Sequence, residues 1–178
     1  MLKPQDIVLL LKLLANQAHL NWTQHQLGMH LCLSPSVINA SLDRLKKSGF
    51  LNLGAYNVRY QLVIPACEEL LIHAIKYIFP AEVGAYTSGI ATSYAAPVFQ
   101  GLISIGQEPI LIWPSAQGKQ RGLALEPLYH CVPESLLHYP DQAFYDLLAL
   151  VDAIRQGQAR ERNMAVKLLK ERLAYVKK

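Results

Sequence analysis

The stretch "LSPSVINASLDRLKKSGFLN", residues 33–52, decides how the first third of the chain is interpreted. Ser34 is a favourable helix N-cap, and Pro35 suits the first helical position because its missing N–H would have no partner there. We expect a helix over about 35–47 that ends before Gly49. At 100° per residue, one face of this helix is suited to burial. Its members are Ile38, Ser41, Leu42 and Leu45.

The opposite face of this helix carries short side chains, with cations toward its C-terminal end. The members are Ser36, Asn39, Ala40, Asp43 and Lys47, flanked by Arg44 and Lys46. A helix with small donors and acceptors fits deep into a DNA major groove, where Lys and Arg reach phosphates. Cations at a helix C-terminus also stabilise the helix dipole, so an ordinary solvated helix is the alternative.

Three further elements surround this helix. A first helix is expected over about 4–16, amphipathic, with Ile7, Leu10, Leu11 and Leu14 on one face. Thr23 and Gln26 form a capping-box pattern that starts a second helix, which ends near Leu31. About three residues then separate the second and third helices, which suits a sharp corner. After Gly49, two short extended runs, 50–53 and 58–63, predict a β-hairpin around a turn at 54–57.

This order of elements resembles the winged helix-turn-helix transcription regulators, MarR-like ones in particular, over about residues 4–64. The resemblance implies that helix 35–47 enters the major groove and that the hairpin, or wing, touches the DNA backbone or minor groove. It implicates eight residues in DNA binding: Ser34, Ser36, Asn39, Ala40, Arg44, Lys46, Lys47 and Arg59.

The charge distribution agrees with this interpretation. Residues 1–64 hold six cations against two anions, whereas the remaining eleven cations are balanced by eleven anions. All of the excess positive charge therefore lies in the first third, as expected when one module faces a polyanion. We predict a DNA-binding domain over 1–64 and a dimerisation or partner-binding module over 65–178.

The second half predicts an α+β protein that is mainly α. A helix over 64–80 follows the wing, and 12 of the 20 glycines and prolines lie between residues 80 and 133, which predicts an irregular segment. Within it, "EPILIWP" (108–114) and "GLALEPLY" (122–129) are expected to pair as a short β-hairpin. Two antiparallel helices are predicted over 141–156 and 159–178.

Two features of the second half have open interpretations. The segment "GAYTSGIATSYAAPV" (84–98) is rich in small and hydroxyl residues. It either lets a backbone approach a ligand closely or forms a packed irregular connection, and we favour the connection. Arg155, Arg160 and Arg162 either contact DNA phosphates or pair with Asp152 and Glu161; we favour the pairing.

No pattern in the sequence indicates catalysis, a cofactor or a metal. The six histidines are scattered, and His25, His30 and Cys32 do not share a helical face. Phosphate-binding glycine loops and hydrolase or metalloprotease motifs do not occur. Cys131 beside His130 is expected to be buried rather than nucleophilic. Three unpaired cysteines indicate a reducing cytoplasm, and no uncharged apolar run of membrane-spanning length occurs.

Three functions therefore remain open. The leading one is a bacterial-type, sequence-specific regulator of transcription that binds double-stranded DNA as a homodimer, because doubling one short helix over a palindrome supplies affinity. The second is an antitoxin or adaptor whose C-terminal module binds a protein partner. The third is a small-molecule enzyme or sensor that uses residues 80–133.

Overall fold

The computed structural model describes residues 1–17, 21–54 and 58–176, and its fold is α+β with mainly helix. The first third contains α1 (Pro4–Ala15), α2 (Gln24–Leu31) and α3 (Pro35–Lys47), followed by β1 (Leu51–Leu53) and β2 (Tyr60–Leu62). The two strands pair antiparallel, with Leu51 opposite Leu62 and Leu53 opposite Tyr60. Part of the turn predicted at 54–57 lies outside the described residues.

The predicted helix caps are confirmed. Ser34 precedes α3 and accepts a hydrogen bond from the Val37 N–H at 3.4 Å. Thr23 and Gln26 form the expected capping box at the start of α2, with reciprocal bonds of 3.1 and 2.9 Å. Both caps depend on residues within one helical turn, which is why the helix boundaries followed from local sequence.

The expectation that α1 is amphipathic is wrong. Its side chains are buried on every face from Asp6 to Leu14, because α1 packs against α3 on one side and against a C-terminal helix, α7 (Gln142–Gln156), on the other. Two charged residues, Asp6 and Lys12, are buried with the apolar ones. A helix that is covered all round belongs to the centre of the molecule rather than to its surface.

The helix predicted over 64–80 is present but irregular. It consists of α4 (Ile64–Glu69), a π-helical turn (Leu70–Ala74) and α5 (Ile75–Ile78). The π turn rotates the side chains that follow it relative to a regular α-helix. Ile75 is fully buried, whereas Ile78 is about half exposed.

A small closed barrel occupies part of the segment that was expected to be irregular between residues 80 and 133, while residues 92–110 contain no strand. Its strands are β3 (Val83–Ala91), β4 (Leu111–Pro114) and β5 (Gln120–Leu125). The prediction that 84–98 is an irregular connection is wrong over most of its length, since β3 is nine residues long and pairs antiparallel with both other strands. The predicted β-hairpin is also wrong, because β4 and β5 pair parallel.

The barrel closes because a glycine sits where two backbones meet. A Cβ added to Gly89 would lie 1.9 Å from the Trp113 carbonyl oxygen, a separation that no side chain tolerates. Gly89 pairs with Pro114 on one side and with Gln120 on the other, so it is shared by both ladders. Close approach of three strands therefore depends on the missing side chain at this position.

Three helices complete the fold: α6 (Cys131–His138), which the sequence analysis did not predict, α7, and α8 (Ala159–Val176). Helices α7 and α8 run antiparallel as expected, with Asp146 near the start of α7 paired to Arg172 near the end of α8 at 2.8 Å. Buried apolar side chains from α1, α3, α4, the barrel and α7 form one hydrophobic cluster. The predicted division at residue 64 stays a prediction, but the core runs across it.

Candidate nucleic-acid interface

The outer face of α3 is accessible. Ser34, Ser36, Asn39 and Lys47 are exposed, and Ala40 and Lys46 are half-buried. The inward face is the predicted one, with Ile38, Ser41, Leu42 and Leu45 all buried. Because these four side chains seat the helix on the core, the polar side chains opposite them stand out from the domain.

Two cations lie at the C-terminal end of this face. Lys46 and Lys47 form no ion pair with any residue that the structure describes. Both positions also lie next to the negative end of the helix dipole, which stabilises them without a ligand. The geometry leaves both ammonium groups available to a polyanion.

Arg44 has an internal partner. Its guanidinium donates to both carboxylate oxygens of Asp6 at 2.8 Å, and also to the Ser41 hydroxyl at 3.2 Å. The hydrogen bond with Asp6 raises the pKa of Arg44. Asp6 is fully buried in α1 and also accepts the Lys3 backbone N–H. In the structure this guanidinium is therefore engaged in an ion pair that attaches α3 to α1.

Arg59, expected on the wing, is exposed next to the strand residue Tyr60. Its backbone N–H donates to the Asn21 side chain at 3.2 Å, which ties the wing to the segment before α2. Since residues 55–57 lie outside the described chain, the reach of the wing tip stays a prediction.

A hydrogen bond connects α2 and α3 across this surface. The Gln24 Nε2 donates to the Asn39 Oδ1 at 3.1 Å, with both side chains exposed. Gln24 is not among the site residues predicted from the sequence. Its position could have identified it, because Gln24 is the first residue of α2, directly follows the N-cap Thr23 and faces the middle of α3. On the same surface, the Ser34 and Ser36 hydroxyls share a hydrogen bond of 3.0 Å.

The region beneath this surface is held to the C-terminal half by a buried charge pair. The Lys12 ammonium of α1 is 1% exposed and lies 2.7 Å from the Asp141 carboxylate, which caps α7. The Lys12 ammonium also lies 4.9 Å from the Phe144 ring centroid, a cation–π distance. Burial alone would raise the pKa of Asp141, but hydrogen bonds from Lys12, Asn16 and the Phe144 N–H outweigh it and hold that pKa below its ordinary value.

A histidine completes this junction. The His30 ring stacks on Tyr139 with centroids 4.5 Å apart and meets the edge of Trp22 at 4.7 Å. Burial, together with the nearby Lys12 ammonium, lowers the pKa of His30. The ring is therefore mainly uncharged at neutral pH and acts as a packing group between α2 and the α6–α7 corner.

A second buried network holds the barrel. Arg155 donates to one oxygen of Asp152 at 2.7 Å, which confirms the predicted pairing of these two residues. The other Asp152 oxygen accepts from Trp113 and Thr92. Arg162 donates to the Gly157 carbonyl, and the Glu161 carboxylate accepts the Gln158 N–H. The predicted pairing of Arg162 with Asp152 or Glu161 is therefore not the observed contact.

A cavity of about 580 Å³ lies between the barrel and the α6–α7 corner. Its apolar wall includes Ile90, Leu136, Leu137 and Pro140, and Asp141 contributes to its rim. The cavity bears on the small-molecule role suggested for residues 80–133, because Gly89, Ile90 and residues 117–120 contribute to its lining, and that role stays a prediction.

The described residues offer few groups that could act as a nucleophile or bind a metal ion. Burial raises the pKa of Cys67 and of Cys131 to about 12, so both thiols stay protonated at neutral pH and are poor nucleophiles. No group of three or more His, Cys, Asp or Glu side chains within the described chain is arranged to hold a metal ion. None of the described helices combines the length and the apolar character needed to cross a membrane.

Comparisons of the chain with protein-family models, with curated proteins and with solved structures found no match. The geometry of the surface formed by α2 and α3 is therefore the basis for proposing a function.

Proposed function

We propose that the protein is a sequence-specific, double-stranded DNA-binding regulator of transcription, in which residues 1–64 act as a MarR-like winged helix-turn-helix domain. In this proposal α3 enters the major groove, while the β1–β2 hairpin lies along the DNA backbone. The observation that carries the proposal is the exposure of Ser36, Asn39 and Lys47 on one side of a helix whose other side is buried. A surface that the C-terminal half had covered would not be available to a ligand.

Each group on this face has a distinct role in the proposal. Asn39 lies in the first half of α3, the part of a recognition helix that contacts base edges in helix-turn-helix proteins. Ala40 is small enough to meet a thymine methyl group. Lys46 and Lys47 reach phosphates and supply affinity that is independent of sequence. Arg44 is left out of the contacts, because its fork is already occupied by Asp6.

A homodimer is part of the proposal for energetic reasons. One short helix with two unpaired lysines gives few contacts, and a two-fold arrangement doubles them over a palindromic site. The C-terminal module is the proposed place of dimerisation.

The test is a titration of the full chain against random and selected duplexes at several salt concentrations. Release of counterions predicts that log affinity falls linearly with log salt. Lys47→Ala is expected to weaken binding to every duplex and to reduce the salt slope by about one, whereas Asn39→Ala is expected to relax sequence preference at one base position. An affinity that does not respond to salt contradicts the proposal. Equal losses on selected and random duplexes for both variants contradict the assigned roles.

A second candidate is an antitoxin or adaptor, and large exposed side chains in the C-terminal half favour it. Tyr77 is 74% exposed, Tyr86 54% and Ile105 52%. Large side chains with this much exposure offer apolar area that a protein partner could cover. Purification of the tagged chain from its own cells, without a stoichiometric partner, would argue against this candidate. DNA binding and partner binding are compatible, since an antitoxin can repress its own operon.

A further inference from the structure

We propose that Gln24 is a positioning residue that makes Asn39 select guanine over adenine at one base position. The inference rests on the proposed DNA-binding function and specifies what the surface reads. It starts from one contact, the hydrogen bond of 3.1 Å from the Gln24 Nε2 to the Asn39 Oδ1.

The contact determines which end of the Asn39 amide is free. A carboxamide carries one acceptor oxygen and one NH2 group with two donors. Because the Asn39 oxygen faces Gln24, the NH2 group is the end without a partner among the described residues. Asn39 lies on the exposed side of α3, so this NH2 group is what the helix offers to a base.

The free group discriminates between the two purines. A bidentate contact of Asn with adenine uses both amide ends, since the oxygen accepts from the adenine N6 while the nitrogen donates to N7. Guanine presents two acceptors, O6 and N7, on its major-groove edge. A donor-only Asn39 therefore matches guanine, and adenine would have to compete with Gln24 for the Asn39 oxygen. We expect guanine to be preferred by about tenfold, the lower end of what one good base contact provides.

Three substitutions of Gln24 separate this mechanism from a general effect of the position. Gln24→Lys can only donate, so it keeps the Asn39 oxygen engaged and is expected to retain the guanine preference. Gln24→Glu can only accept, so Asn39 must turn its NH2 group toward residue 24, and the preference is expected to move to a base with an exocyclic amine donor, adenine or cytosine. Gln24→Met removes the hydrogen bond at similar size and frees both ends of the Asn39 amide, so the preference is expected to move toward adenine.

A matched control removes the effect of charge. Gln26→Glu places the same charge two residues further along α2, at a position that bonds the Thr23 N–H and that Glu also satisfies. This control is expected to weaken binding through the added negative charge while leaving the base preference unchanged. The preference is measured as a ratio of affinities at one position, so a uniform electrostatic change cancels.

The experiment selects duplexes from a randomised pool with the full chain and sequences the enriched ones. Asn39→Ala identifies the base position that Asn39 reads, and each Gln24 variant is then measured on four duplexes that differ there. Thermal unfolding checks that every variant is folded. The inference is supported if guanine is preferred by the wild type and by Gln24→Lys, if Gln24→Met shifts the preference to adenine, and if Gln24→Glu shifts it to adenine or cytosine.

Two groups of results overturn the inference, and they can be distinguished from each other. A wild-type preference for adenine, a preference that Gln24→Met leaves unchanged, or no position that responds to Asn39→Ala would reject the role of Gln24 while DNA binding stands. An enriched pool that stays random, together with affinity that ignores salt, would reject the DNA-binding function and the inference with it.

Discussion

Arg44 and Lys47 lie one turn apart on α3 and carry the same charge, but their roles differ because their surroundings differ. The Arg44 side chain is 22% exposed and is held by a fully buried carboxylate, whereas Lys47 is exposed without an ion pair to a described residue. A planar guanidinium that donates twice to one carboxylate is a geometry that a lysine cannot reproduce. Arg44 therefore positions α3 on α1, and Lys47 is left for an external anion.

This difference predicts unequal effects of substitution on stability. Arg44→Met removes the partner of the buried Asp6 carboxylate and is expected to lower the free energy of unfolding by about 3 kcal/mol, the lower end for a broken buried pair, because Arg44 is partly exposed. Lys47→Met on the same helix is expected to change it by less than about 0.5 kcal/mol. Urea unfolding of both variants measures this. Comparable losses would mean that the Asp6 contact contributes little.

At the scale of an element, the barrel depends on Gly89. Gly89→Ala places a methyl group against the Trp113 carbonyl, so β3 and β4 must separate, and we expect a loss of about 3 kcal/mol in the free energy of unfolding. Gly106→Ala is the matched control, because a Cβ at Gly106 meets nothing within 4 Å. It is expected to be neutral or slightly stabilising. Thermal unfolding of the two variants tests whether close strand approach matters, and equal midpoints would contradict it.

The elements that sequence reasoning predicted are those that local chemistry determines. The start and end of α3 follow from Ser34 and Pro35, and its buried face follows from helical spacing. β3 was missed because it is built mostly of small residues and becomes a strand only through pairing with residues 21 to 42 positions away. The same applies to the candidate site: the exposed positions were predicted, but the partner of Arg44 is 38 residues distant and that of Asn39 is 15.

Helices α1 and α7 pack against each other and connect the proposed DNA-binding surface to the C-terminal half. The Lys12–Asp141 pair joins these two helices, and the Asp6–Arg44 pair joins α1 to α3. Two partly buried ion pairs on one helix thus link the cap of α7 to α3. A change at the α6–α7 corner has a continuous route of packed and paired groups to the surface that carries Asn39.

The central pair predicts how stability responds to acid. The pKa of Asp141 is held below its ordinary value in the folded state, so the carboxylate stabilises the fold above the unfolded-state pKa of about 4, and this stabilisation is lost as the pH falls through the folded-state pKa. Asp141→Asn removes this titration and leaves the buried Lys12 ammonium without a counter-charge. The variant is expected to be about 3 kcal/mol less stable than the wild type at pH 7.

The difference between the wild type and Asp141→Asn is expected to shrink as the pH falls below about 4, the unfolded-state pKa of an aspartate, because only the wild type has a carboxylate that becomes protonated there. Asp43→Asn, the same substitution at an exposed position of α3, serves as the control and is expected to stay within about 0.5 kcal/mol of the wild type. Urea unfolding from pH 7 down to pH 3 measures both differences. A gap that is the same at pH 3 and pH 7 would show that the charge of Asp141 does not hold the two halves together, and would leave its cap on α7 as its role.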